Sequence, residues 1–207
     1  VATISLSPSS ATTTPADTTN FSAVARDQFG NVIPSASFVW TTTGGTVAPT
    51  TATPNPIVYT APNTTGSAAV RASIGGVSGT ASVTINPGTL STINLTPANT
   101  TLAPLGTRGY NVVGRDAFGN TIAGLPFVWT HGPGITLNNP AVGASNATAT
   151  AGTIAGTYNN VITVSVGAIR DRANVTITPG PLFRIDVNPT GATLAPGASQ
   201  VFTATGY

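Results

Sequence analysis

Apolar and polar residues alternate with a period of two along most of the chain. Phe21, Ala23 and Ala25 share one face of an extended segment, and Phe38 and Trp40 share another. Val70, Ala72 and Ile74 follow, then Ala81, Val83 and Ile85. The pattern continues through Tyr110, Val112 and Gly114, through Ile162, Val164 and Val166, and through Ala173, Val175 and Ile177. Ser, Thr, Asn and Arg fill the opposite faces. Such alternation is the mark of half-buried β-strands, because successive side chains of a strand point to opposite sides. Pro (17) and Gly (23) are frequent and Thr abundant, so long helices are not expected. The fold class is all-β.

The chain repeats itself, and the repeat sets the organisation. Ile4-Ser5-Leu6-Ser7-Pro8 returns as Ile93-Asn94-Leu95-Thr96-Pro97 and again as Ile185-Asp186-Val187-Asn188-Pro189. Arg26-Asp27-Gln28-Phe29-Gly30-Asn31 returns as Arg115-Asp116-Ala117-Phe118-Gly119-Asn120, and Phe38-Val39-Trp40 as Phe127-Val128-Trp129. The copies close on Ile85-Asn86-Pro87-Gly88 and Ile177-Thr178-Pro179-Gly180. The offset is 89 residues through the Trp and 92 at the closing strand, which puts a three-residue insertion in the second copy. Three segments are therefore expected: repeat 1 over 1–88, repeat 2 over 89–180, and the first strands of an incomplete repeat 3 over 181–207. Half a sandwich cannot bury its own face, so the sequence reads as part of a longer chain.

About seven short strands in some 90 residues, with a Trp near the third, is the pattern of an immunoglobulin-like β-sandwich. Trp40 and Trp129 are the expected core residues. Between the second and third strands, Asp27, Phe29, Gly30 and Asn31, and equally Asp116, Phe118, Gly119 and Asn120, form a structural turn. The Asp accepts hydrogen bonds from backbone N–H groups a few residues on, and the Gly supplies a positive φ. Phe29 is expected to fold back over the open end of the sandwich. Pro-Gly pairs at 87–88 and 179–180 mark the joints. With only a residue or two between strands of successive copies, a semi-rigid rod is expected.

The turn, the Trp strand that follows it and the closing strand resemble the bacterial Ig-like repeats of invasin and intimin-type surface proteins, and of related S-layer and phage surface proteins. The likeness runs over nearly the whole chain. It implies an extracellular location and a spacer, adhesive or lattice-forming role, and it implies no chemistry and no fixed binding residues.

Composition sharpens the picture. Only 6% of residues are charged, against roughly 25% in an ordinary soluble domain. All seven bases are Arg and all five acids are Asp. A surface of hydroxyls, amides and small apolar groups suits a glycan coat or packing against neighbours in a polymer or layer. The Arg residues are scattered, with no basic run for nucleic acid, and no stretch has the roughly 20 apolar residues of a membrane span. Val1 opens directly on a strand pattern, as a mature or trimmed fragment would. Cys and Lys are absent, which excludes disulfides and Lys–Asn isopeptide staples.

An active site needs titratable groups gathered in a cleft. The single His, His131, lies in a Gly-Pro loop, and a Thr stands at the equivalent place in the first copy. Asp27 and Asp116 belong to the turn. Without Cys, Glu or clustered acids, nucleophilic, glycosidase and two-metal mechanisms lack components, so no enzyme and no catalytic, cofactor or metal residue is expected. Calcium at the joints would want several carboxylates together. The second joint offers only Asp171 and Asp186 and the first no acid at all, so calcium is disfavoured. Asn-x-Ser/Thr triplets at Asn20, Asn63, Asn94, Asn99, Asn146 and Asn174 are candidate glycosylation sites, although Ser and Thr are common enough here to make such triplets by chance. Arg26 and Arg115 stand outward at equivalent places and read as partners of a nearby Asp or as edge-strand guards.

The leading expectation is structural: a rod, spacer or building block of a filament, appendage or surface layer, on a cell surface or a virion, whose partners are neighbouring repeats or other copies of itself. The second is adhesion to a receptor, a polysaccharide or a neighbouring cell, with Tyr59 and Tyr158 as the aromatic candidates for a sugar.

Overall fold

The computed structural model describes residues 1–52, 55–138 and 140–207. The first stretch of chain contributes β1 (Thr3–Ser7), β2 (Ser10–Thr13), β3 (Thr18–Arg26), β4 (Phe38–Thr42), β5 (Thr46–Ala48), β6 (Thr51–Ala52), β7 (Ile57–Thr60), β8 (Gly66–Ile74) and β9 (Val77–Ile85). Then follow β10 (Leu90–Thr96), β11 (Asn99–Leu102), β12 (Thr107–Asp116), β13 (Thr121–Ile122), β14 (Val128–His131), β15 (Ile135–Leu137), β16 (Asn146–Ala151), β17 (Gly156–Val166) and β18 (Ile169–Ile177). The last two strands are β19 (Ile185–Asn188) and β20 (Thr203–Gly206). The fold is all-β, with sheets paired into immunoglobulin-like sandwiches.

Strand pairing keeps every sheet inside one of the three sequence segments. One sheet runs β1-β3-β7-β5 and its partner β2-β9-β8-β4-β6; a second pair runs β10-β12-β16-β15, with β13 beside β12, and β11-β18-β17-β14. The chain switches sheets between β1 and β2, where β2 lies parallel to β9, and again between β10 and β11, where β11 lies parallel to β18. Contact density divides the chain into two compact units, one of Val1–Asn94, Val112–Pro126 and Ser165–Arg170, the other of Leu95–Asn111, Phe127–Val164 and Asp171–Tyr207.

In the first unit a core closes between Ile4 and Ile85 around Phe21, Phe38, Trp40, Ile57, Tyr59, Val70 and Val83. Burying each large apolar side chain contributes about 1.5–3 kcal/mol. Phe21 meets Tyr59 edge to face with ring centroids 6.2 Å apart, a geometry that favours the positive ring edge over the negative face. Glycine is required at Gly79, because a Cβ there would stand 2.4 Å from the Ile4 carbonyl oxygen. That close approach lets β1 pass over the end of β9.

In the second unit Leu95, Tyr110, Phe127, Ile135, Ile162, Val164, Val175 and Ile177 are buried. Here Asp171 occupies the place of Gly79, and its carboxylate accepts the Leu95 N–H at 2.7 Å. The passage of the first strand is thus fixed by a missing side chain in one copy and by a hydrogen bond in the other. The expectation for the two Trp residues divides. Trp40 is buried, whereas Trp129 is only half-buried and donates its Nε1–H to the Ala144 carbonyl at 2.8 Å. The bond to Ala144 holds the Trp129 indole at the edge of the core.

Strands β19 and β20 pair Ile185 with Gly206, the register in which β1 and β3 pair Ile4 with Ala25. Arg184 bridges Asp186 at 2.9 Å and lies over the Tyr207 ring, 5.0 Å from its centroid.

Candidate functional site: the Asp-x-Phe-Gly-Asn turns

The Asp27 turn leaves β3 with its conformation fully specified. One oxygen, Oδ1, accepts the N–H groups of Phe29 and Asn31, both at 2.9 Å, and Oδ2 accepts the Asn31 side-chain amide at 3.0 Å. Gly30 takes a φ of +86°, a conformation that L side chains rarely adopt. Arg26 Nη1 donates to the Gly30 carbonyl at 2.8 Å. The outward Arg is therefore a tie across its own turn; neither the Asp partnership nor the edge-guard role expected from sequence accounts for that bond. The Asn31 side chain, followed by backbone donors, holds the Asp27 carboxyl below its ordinary value.

The Asp116 turn repeats this geometry. Oδ1 accepts the N–H groups of Phe118 and Asn120, both at 2.9 Å. Gly119 has the same φ of +86°, and Arg115 Nη1 reaches the Gly119 carbonyl at 2.7 Å. It then does more. Within the first compact unit, Asp116 Oδ2 accepts the Gly88 N–H at 3.0 Å. The Asn120 amide donates to the Asn63 carbonyl at 2.9 Å and its Oδ1 accepts the Thr65 N–H at 3.3 Å. The turn clasps the loop after β7 and the end of β9. The expectation that the first joint has no acid nearby is corrected by Asp116, which sequence placed 28 residues from Gly88 and the fold brings against it. Burial of Asp116 works against its charge, yet the Asn120 side chain and the N–H groups of Gly88, Asn120 and Phe118 outweigh it and hold its pKa at about 2.

Phe29 does not fold back over the sandwich; it is 80% exposed, against 48% for Phe118. Bound on both sides by the carboxylate of Asp27, the turn aims its ring outward, and nothing in the first copy covers it.

The remaining candidates are dispersed. His131 is exposed, with Nδ1 3.0 Å from the Gly132 carbonyl. Tyr59 is wholly buried, which removes it as a surface platform for a sugar. Tyr158 is half-buried, and its hydroxyl donates to the Ile154 carbonyl at 3.0 Å. Among the described residues no three His, Cys, Asp or Glu side chains gather to hold a metal, and Asp171 and Asp186 are spent on Leu95 and Arg184. The hollow beside Val24, Val32, Pro34, Phe38 and Asn55 has no titratable lining, and Asn55 uses its amide on the backbone of Ala23. Asn20, Asn63, Asn94, Asn99 and Asn146 are exposed. Asn174 is half-buried, donating to Asn99 and accepting from the Asn160 N–H, which leaves its amide committed. Among the described residues no helix is long and apolar enough to cross a membrane.

Sequence reasoning missed the clasp of Asn120, the Asp171–Leu95 bond and the strand-like pairing of Asn55. Only the first had a signal, since Asn recurs in both turns.

No family model matches the chain. Over 144 residues it is 28% identical to Ice-binding protein 1 of Shewanella frigidimarina (strain NCIMB 400), a match that spans 69% of this chain and 15% of that protein. Among solved structures it is similar to InvD of Yersinia pseudotuberculosis, with a TM-score of 0.52, 24% identity, and 93% of this chain and 60% of that one covered. It is similar also to FdeC, described as a broadly conserved Escherichia coli adhesin, with a TM-score of 0.50, 22% identity, and 84% and 63% covered. The chain thus spans less than two thirds of each of these relatives. At such identities the likeness concerns the fold alone, an immunoglobulin-like β-sandwich.

Proposed function

We propose that the chain is a structural segment of an extracellular surface protein, its immunoglobulin-like repeats serving as spacer or as building block of a filament, appendage or surface layer. The carrying observation is the chemistry of the outward faces. Thr3, Ser5 and Ser7 face out from β1, Ser10 and Thr12 from β2, and Ser78, Thr80, Ser82 and Thr84 from β9. With so few charges to repel a neighbour or hold it in a fixed pattern, such faces suit contact with like surfaces or with a coat of sugar. Buried strand ladders supply the mechanical resistance, and the carboxylates of Asp27, Asp116 and Asp171 are taken up by backbone N–H groups. The similarity to FdeC supports a surface role, and adhesion is the second reading. For that reading the two tyrosines expected to meet a sugar are withdrawn, Tyr59 by burial and Tyr158 by its hydroxyl bond to the Ile154 carbonyl.

Electron microscopy of the native parent protein, on cells and purified, tests the role. Ordered fibres or sheets with these repeats at the contacts, or shafts carrying a different domain at the tip, are expected. Repeats that themselves sit at the point of contact with a receptor or a second cell would overturn the structural reading in favour of adhesion.

A further inference from the structure

The two Asp-x-Phe-Gly-Asn turns have the same internal bonds and different surroundings. At Asp116 the turn holds three backbone groups of the preceding repeat: the Gly88 N–H, the Asn63 carbonyl and the Thr65 N–H. At Asp27 the matching acceptor and amide are formed, with φ of +86° at both glycines, and they face solvent.

We propose that the Asp27–Asn31 turn, with Phe29 and Val1, is a preformed receiving surface for the end of another immunoglobulin-like repeat of this type. The partner is defined by its chemistry. It offers the backbone N–H of a residue just past an Asn-Pro pair, and a loop carbonyl with an N–H two residues later. Asp27 Oδ2 takes the first of these groups, and the Asn31 amide takes the other two.

Two independent observations support the assignment. The first is polar: Asp27 has an oxygen and Asn31 an amide in the places that Asp116 and Asn120 use on Gly88, Asn63 and Thr65. The second is apolar. Phe29 is 80% exposed where Phe118 is 48%. Val1, Ala2, Asp27, Gln28 and Phe29 line one shallow hollow, so the polar and apolar parts form a single face. Arg26 and Gly30 fix the turn beforehand, and a surface that is already ordered loses less entropy on docking.

This inference rests on the two copies of the turn and stands whether the repeats act as spacer or as lattice block. The test places residues 1–88 and a linking Thr ahead of the full 207-residue chain, because Val1 corresponds to Leu90 and Thr89 precedes it. The core between Ile4 and Ile85 closes on itself, so the added copy is a complete sandwich. With the added copy alone isotopically labelled by segmental ligation, amide exchange is read by NMR at its Thr65 and Gly88. Exchange there is expected to be at least about tenfold slower than in the same fusion carrying Asn31→Ala in the receiving copy. Phe29→Ser in the receiving copy leaves the turn's hydrogen bonds in place and is expected to raise exchange as well. Equal exchange in all three chains, with unchanged melting of the added sandwich, would overturn the proposal. Micrographs of the parent address the role of the repeats separately, so either reading can fail without the other.

Discussion

Deleting the indole of Trp40 is the most direct probe of the sandwich core. The side chain is 2% exposed on β4, opposite Ala72 of β8, and packs against Phe38 with ring centroids 6.0 Å apart. Trp40→Ala removes a buried aromatic and leaves a cavity, at a cost of about 3–5 kcal/mol. For a sandwich of this size each kcal/mol lowers Tm by about 4–8 °C, so its melting falls by about 12–40 °C. Trp129→Ala is the internal comparison. Half-buried, with one hydrogen bond to Ala144, it loses less packing and costs about 2 kcal/mol. Trp40→Phe separates packing from polarity. The Trp40 Nε1 is buried with no hydrogen-bond partner among the described residues, and deleting it returns about 1–3 kcal/mol of desolvation, which offsets much of the lost volume. Calorimetry resolves the separate transitions, and urea unfolding followed by circular dichroism gives the free energy of the transition in which Trp40 takes part where that transition is two-state. A loss below about 1 kcal/mol for Trp40→Ala, or a larger loss for Trp129→Ala, would refute the core assignment.

Acid should release the Asp116 clasp. A carboxyl whose folded pKa lies at about 2 instead of 3.8 contributes stability that is complete above the ordinary value and is lost as pH falls through about 2. The Gly88 amide resonance should therefore titrate near the lower value, and a midpoint near the ordinary one would contradict the bond. Gly45→Ala should destabilise by more than about 1 kcal/mol, since Gly45 has φ +79° and a Cβ would lie 2.3 Å from the Thr60 carbonyl oxygen. Gly30→Ala, strained in φ but in open space, should cost less; urea midpoints that rank the two the other way would show the approach to Thr60 to be unimportant. The Tyr59 hydroxyl is buried without a partner among the described residues, and Tyr59→Phe should leave stability unchanged or raise it by about 1–2 kcal/mol. A comparable loss in the same urea assay would mean that the hydroxyl is bonded.

Strand identity was legible because period-two burial is a local consequence of the pleat. Phe21, Ala23 and Ala25 could face only one side of β3, and all three are buried. The turn was legible too, because Asp and Gly act there through bonds only a few residues long. What depended on residues distant in sequence was not. Trp129 and Trp40 sit in the same tripeptide, and only the fold around Ala144 makes one of them an edge residue. Asp171 and Gly79 solve one steric problem by opposite means, and nothing local to either position announces it. Tyr59 stands in the less regular half of its copy, where the local pattern assigns it no face, yet its pairing with β3 and β5 turns the ring inward.

The two turns carry this argument furthest. Asp27 and Asp116 are held by the same backbone donors and the same Asn, so local sequence accounts for their shape completely. What sets the Asp116 turn apart is its hold on Gly88, Asn63 and Thr65, groups far from it in sequence. A turn that is rigid before it is docked can set the geometry of a joint, because little conformational freedom remains to be lost when the partner arrives. In a chain with so few charges, that places directional control of the joint in an Asp, an Asn and a Phe, while the hydroxyl-covered faces are left free for contact with neighbours.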